Sequence, residues 1–265
     1  MSIVIAIIAT IIAGVAVSFT SSVQQKRIDE TNAKIATIQK ALLDYRRAFN
    51  RLPCPADYSS YDVGDAYFGY ESGTPSTCSG TPAATYIYYI TGNNAVCPGS
   101  SSRCVFGGMV PVRTLGLLDE YAFDGWGRRI LYNVDIDMVQ TDAFVAGTRV
   151  SSVTYDVTNS QQRFTVKDVS GNNKTISAAY VLVSFGPNGH GAIGRSVDAG
   201  QRISSGSSNS HELENCDCVT VTGQNGTYNY TFYQEPPSGD TDTPTNVFDD
   251  IVYYATRGDL RSATE

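Results

Sequence analysis

The 265-residue chain carries 26 acidic against 19 basic side chains, a formal net charge of -7, and that acidic balance argues against a nucleic-acid-binding surface. Six cysteines and 24 glycines in a Tyr-rich sequence favour a body folded in an oxidising compartment over a cytosolic one. Beyond the first fifty residues about 215 remain, enough for one well-packed domain with elaborations or for two small ones.

The chain opens on Ser2–Phe19, SIVIAIIATIIAGVAVSF, a run without a charged residue. As a helix it is about 27 Å long, close to the thickness of a bilayer core, and it predicts a single membrane span. A secretory signal peptide is the alternative, but the start lacks a basic n-region and no small-x-small site is followed by a change of character. Neither Gly nor Pro interrupts the segment from Thr20 to Leu52. Ile28, Thr31, Ile35, Ile38, Leu42, Tyr45 and Phe49 recur in it at spacings of three and four, which sets them on one helical face. The expected object is a stalk about 70 Å long, apolar all round in its first third and one-sided afterwards. Lys26 and Arg27 just past the apolar run would hold the following chain in the cytoplasm. The cysteines point the other way, and the body is read as periplasmic.

Pro53 and Pro55 predict that the helix stops near Asn50, and the stiff Arg51–Asp57 exit carries a thiol, Cys54, that a disulfide could pin to the head. Residues 58–104 read as a loop-rich insertion in which only TYIYYI (85–90) is dense enough for a strand. Cys97 and Cys104 enclose a short span that a disulfide could close, and Cys54 with Cys78 would staple the base of the region. Six cysteines allow fifteen pairings, so connectivity stays open at this level. Their irregular spacing, with His190 and His211 far from the first four cysteines, disfavours zinc.

The sheet core is expected over 110–257. Trp126, the single tryptophan, reads as a core anchor closing the sheet over the stalk. RRILYNVD (128–135), DAFVAG (142–147), VSSVTYDV (150–157), QRFTVKDV (162–169) and TISAAYVLVSFG (175–186) alternate with turn residues, the pattern of an antiparallel sheet. The Gly-rich run Ser184–Gly191 ends in no Lys-Ser/Thr and opens no helix pattern, so it is a poor phosphate loop. His190 reads as a surface turn residue and His211 as part of a linker, since neither sits in a catalytic motif. Residues 199–210 are of low complexity, and Cys216 and Cys218 lack the spacing of a thioredoxin-like pair.

Several of these stretches carry a resemblance. MSIVIAIIATIIAG resembles the N-terminal helix of type IV pilins and type II secretion pseudopilins. Arg51-Leu52-Pro53-Cys54-Pro55 resembles the link between stalk and head in many pilin-like proteins. Phe123-Asp124-Gly125-Trp126-Gly127 is similar to the Asp-Pro-Trp-Gly stretch of major pseudopilins, with Gly125 where Pro is usual, a departure that a turn tolerates. The run around Gly186 and the final Ile251–Tyr254 strand also fit the pattern. Family members carry a basic leader, a Gly at the cleavage point and a Glu shortly after it, and here that Glu would fall just before Met1. The resemblance therefore implies a start downstream of the processing site.

The fold implied is α+β and pilin-like: a long N-terminal helix (1–50) packed on an antiparallel head (51–265) with disulfide-bearing loops. The function implied is that of a structural, non-enzymatic subunit of a type IV pilus or type II secretion pseudopilus, minor rather than major given its long loops. Its partners would be other pilin or pseudopilin subunits, an inner-membrane assembly platform and membrane lipid. A membrane-anchored adhesin or binding module is the alternative, and an exported enzyme a more distant one. Asp240, Asp242, Asp249 and Asp250 look like the C-terminal acidic loop of calcium-binding major pseudopilins, and hard oxygen ligands on an acidic loop suit Ca²⁺.

Overall fold

The computed structural model describes residues 2–57, 60, 62–73, 78, 88–91, 104–144, 164–195, 202–203, 206–216, 231–239 and 246–262, with side chains of the first helix described from Ser22 onward. That helix, α1 (Ser2–Phe49), runs unbroken for 48 residues. Its predicted face is buried at Thr31, Ile35, Ile38, Leu42 and Tyr45. Each large apolar side chain so covered stabilises by about 1.5–3 kcal/mol. Ile28 is only half-buried, and Phe49 is 56% exposed although its ring stacks 4.4 Å from that of Tyr45. The helix ends at Asn50, whose φ of 53° reverses the chain and whose N–H still donates to the Arg46 carbonyl at 2.8 Å. The periodic face thus outlasts its cover by one turn.

Among the described residues no helix is long and apolar enough to cross a membrane. This finding overturns the expected transmembrane span at Ser2–Phe19 and, with it, the single-pass inner-membrane placement with a periplasmic head. Where side chains are described, α1 carries Lys26, Arg27, Asp29 and Glu30 within about a turn and a half, more charge than a spanning segment accommodates.

The head is a mixed sheet in the order β1 (Tyr88–Thr91), β2 (Cys104–Met109), β3 (Leu131–Asp135), β5 (Asn173–Ser184), β4 (Phe164–Lys167) and β6 (Thr231–Tyr233), with β9 (Ile251–Thr256) also paired to β5. A separate two-residue ladder joins β7 (Ser238–Gly239) to β8 (Val247–Phe248). Twelve-residue β5 is the hub, pairing antiparallel with β3, β4 and β9. The expectation of an antiparallel sheet holds for these pairs and fails for β4 and β6, which run parallel. A parallel neighbour needs a crossover, and here α2 (Ser210–Cys216) lies on the path between the two strands. A third helix, α3 (Arg257–Ser262), follows β9 directly. The described part of DAFVAG is a turn, and VSSVTYDV lies outside the described residues.

One apolar cluster joins the α1 face (Ile35, Ile38, Leu42) to Phe68, Phe123, Tyr132 and Leu182, so the helix and the sheet share a core. A second, with Phe164, Val181, Phe185 and Phe232, fills the opposite side of the sheet. The chain is therefore a mixed α+β protein in which a long N-terminal helix packs on a multistranded sheet.

Polar contacts along α1 help to fix the helix to the head. Tyr253 Oη lies 3.4 Å from Asn32 Oδ1. Gly125 N–H donates to Thr31 Oγ1 at 2.9 Å, and a Cβ at Gly125 would lie 2.3 Å from the Arg27 carbonyl oxygen. Glycine here is therefore a packing requirement as well as a turn residue, and proline would also lack the N–H. Trp126 is half-buried at this junction, its Nε1–H donating to Gln24 Oε1 at 2.9 Å, so it bridges head and stalk without entering the core.

The exit from α1 is held by a polar knot. Glu71 accepts both Arg51 Nη atoms at 2.9 Å, the Tyr45 hydroxyl at 3.0 Å and the Cys54 N–H at 3.0 Å. Cys54 is disulfide-bonded to Cys78, one of the pairings the sequence left open. Cys216 is also disulfide-bonded, while Cys97 and Cys218 lie outside the described residues.

Candidate metal centre

Two short segments distant in sequence bring three carboxylates together. Asn209 caps α2, its Oδ1 accepting the N–H groups of His211 at 2.9 Å and Glu212 at 3.2 Å. The cap aims Glu212, fully buried, toward the residues that lead into β9. There Asp249 and Asp250 are 7% and 3% exposed, and one carboxylate oxygen from each of the three acids lies within 4.8 Å of the others.

The Gly-rich turn supplies the third wall. Gly186 has a φ of 52°, and a Cβ on it would come within 2.1 Å of the Asp249 carbonyl oxygen, so only glycine lets the turn approach so closely. Asn188 Nδ2 then donates to both oxygens of Glu212 at 2.8 and 2.9 Å, while its own N–H donates to Asp249 Oδ2 at 3.0 Å. Asp249 N–H donates to Glu212 Oε1 at 3.1 Å. Asn215, one turn after Glu212, donates to Asp250 Oδ2 at 3.0 Å and exchanges hydrogen bonds with the Tyr233 backbone, tying the site to β6. Arg128 braces the turn from outside by donating to the carbonyls of Gly186 and Pro187.

These donors leave the acids incompletely satisfied. Asp249 Oδ1 and Asp250 Oδ1 are sealed from solvent and have no hydrogen-bond partner among the described residues. Burial, and then the charge of Glu212, push the Asp249 carboxyl up to about 7. Asp250 is raised well above the ordinary carboxylate range by burial and by the charges of Glu212 and Asp249. Such a trio is costly when ionised and is relieved either by protons or by a cation. The donors are carboxylate oxygens with no thiol, a set that suits a hard divalent ion such as Ca²⁺ or Mg²⁺ over Zn²⁺. The orphaned Oδ1 atoms give that ion two of the lone pairs it needs.

Of the four aspartates expected from sequence, Asp249 and Asp250 belong to this cluster, and Asp240 and Asp242 lie outside the described residues. Glu212 was missed. Its signal was the pattern Asn209-x-x-Glu212, an N-cap followed by Glu at the third helical position, obscured by the low-complexity sequence before it. His190, expected at the surface, is 3% exposed beneath the turn, and burial lowers its pKa. His211 stacks on Tyr233 with ring centroids 3.7 Å apart and lies 3.0 Å from Glu235 Oε1, a packing role on α2.

Compared with protein-family models, with curated proteins and with solved structures, the chain matches none.

Proposed function

We propose that this protein is a structural subunit of the pilin type that assembles into a filament through its N-terminal helix, as a pilus or pseudopilus subunit does. The observation carrying this reading is the shape of α1. It is one uninterrupted helix from Ser2, Gln24 is the first of its described side chains bonded to the head, and the sequence is uncharged through Phe19. An uncharged apolar helical segment of this length is relieved of water by packing against the same segment of other copies. The pinned exit at Cys54 and the Trp126 junction support a rigid angle between helix and head, which a repeating assembly requires. Activity is then mechanical and associative rather than catalytic.

Electron microscopy and sedimentation of the full chain test this reading. Ordered filaments with a regular axial repeat are expected, and Ile8→Asp with Ile12→Asp is expected to abolish them while leaving the head folded. A full chain that stays monomeric, or a double variant that polymerises equally well, would refute it.

A second reading concerns the acidic cluster, favoured by the two orphaned Oδ1 atoms: Glu212, Asp249 and Asp250 hold Ca²⁺, which staples α2 to the start of β9. Bound calcium would supply positive charge to three buried acids and stabilise the folded head. Calcium titration followed by thermal unfolding checks this. The expected result is a saturable rise in Tm that Asp250→Asn removes, and an equal response in both proteins sinks it.

A further inference from the structure

The turn after β2 stands off from α1 and leaves a groove between them. Residues 111–117 are held by the Leu115 N–H donating to the Pro111 carbonyl at 3.0 Å and the Leu117 N–H to that of Val112 at 2.8 Å. Thr114 Oγ1 accepts the Glu71 N–H at 2.7 Å, which ties the turn to the polar knot at the helix exit. The groove encloses about 430 Å³, walled by Ala41, Tyr45, Ala48 and Phe49 on the helix and by Leu115 and Leu117 on the turn. It stands open among the described residues. A Cβ on Gly116 would meet no atom within 4 Å, and Phe49, the last member of the apolar face of α1, is left 56% exposed at one end. An uncovered aromatic beside an open apolar groove marks a surface that a partner covers.

The length and lining of the groove select its occupant. It follows α1 from Thr37 to Phe49, about 18 Å, which suits a helix of three turns. The two charged residues on its rim, Lys40 and Asp44, already pair at 2.9 Å, so the groove offers an occupant no unpaired charge. Uncharged Ser2–Phe19 matches it: Ile3, Ile7, Ile11 and Val15 recur at every fourth residue, the spacing of one ridge that packs into a groove. This segment cannot reach the groove of its own chain. Because α1 is unbroken, Phe19 and Thr37 lie about 27 Å apart along one axis. The occupant must come from another copy.

We propose that the groove between α1 and the 111–117 turn receives the apolar Ser2–Phe19 helix of a second copy, packed against Phe49 and Leu117. The inference rests on the filament reading and adds to it the surface of the head that receives the helix. Helix and groove are different surfaces, so the contact is heterologous, and each copy keeps one of the two free for the next.

Photocross-linking of the full chain under assembly conditions tests the proposal, with benzoylphenylalanine in place of Phe49 and adducts mapped by mass spectrometry. Adducts to residues 2–19 of another copy are expected. Ala48→Glu, a change at an exposed helix position that puts a charge in the groove, should raise the critical concentration for assembly at least about tenfold, while Ile176→Glu on β5 leaves it unchanged. Filaments whose adducts fall only on other segments, filaments with no adduct, or an equal critical concentration in Ala48→Glu overturn the groove and leave the filament reading standing. Adducts to residues 2–19 without filaments retain the groove and remove the filament. A chain that gives neither overturns both.

Discussion

The exit from α1 and the Glu212 cluster both bury carboxylates, and they do so in opposite ways. At the exit, Glu71 meets a guanidinium, and each of its oxygens accepts two hydrogen bonds, from Arg51, Tyr45 and the Cys54 backbone. Burial alone would raise its pKa, yet the hydrogen bonds from Arg51, the Cys54 N–H and Tyr45, with the Arg51 charge, together outweigh burial and hold it below the usual range. At the cluster, three acids face one another, the donors are amides rather than a cation, and two oxygens are left with none. The first arrangement is complete as it stands and serves structure. The second is complete only with protons or a cation, which makes it the part of the head that responds to its surroundings.

Breaking the complete site should cost most. Glu71→Ala strands the Arg51 guanidinium, removes the partner of Cys54 N–H and frees Tyr45, and is expected to destabilise the head by about 3–5 kcal/mol in chemical denaturation. A loss below about 1 kcal/mol would mean that the knot is solvated and the contrast drawn above is wrong.

The incomplete site should show itself through pH. Asp249 has a folded pKa of about 7, above its unfolded value, so the folded state holds the extra proton. Its contribution is therefore favourable at acid pH and is lost as pH rises from the ordinary carboxylate range through about 7, by up to about 4 kcal/mol. Asp250, raised well above its ordinary range chiefly by burial, adds in the same direction. Melting curves in chelator should accordingly give a higher Tm at pH 5 than at pH 8. Calcium should restore the loss at pH 8 and have little effect at pH 5, because ligands must be deprotonated to bind. A chelated protein equally stable at both pH values would remove the distinction between the two regions.

A smaller effect is expected where the helix and head meet. Gly125→Ala would place a Cβ against the α1 backbone at Arg27 and should cost about 1–3 kcal/mol, with the head otherwise native by circular dichroism. An unchanged midpoint would show that helix and head slide freely at this contact, and would weaken the case for a rigid angle.

Much of the helix was legible because its signal is local. Charge-free sequence, an apolar spacing of three and four, and two prolines after Asn50 all act within a few residues, and they located α1 and its stop. The Cys54–Cys78 pairing was among the options since the two thiols bracket a single loop. The same periodicity overstated the buried face at Phe49, because spacing reports which side could be covered and not where the covering sheet ends. Trp126 was misjudged for a related reason: size and aromaticity mark it as an anchor, while its place at the edge of the junction leaves it half-exposed.

By itself, then, the sequence determined the long amphipathic helix, its termination, a β-rich head and two of the three clustered acids, all through interactions between residues close along the chain. Tertiary structure alone decided that Glu212 joins Asp249 and Asp250, that β6 lies parallel to β4 and that Gly125 must lack a side chain. Those outcomes depend on segments tens of residues apart being pressed together by a shared core, and no periodicity records which distant segment will arrive.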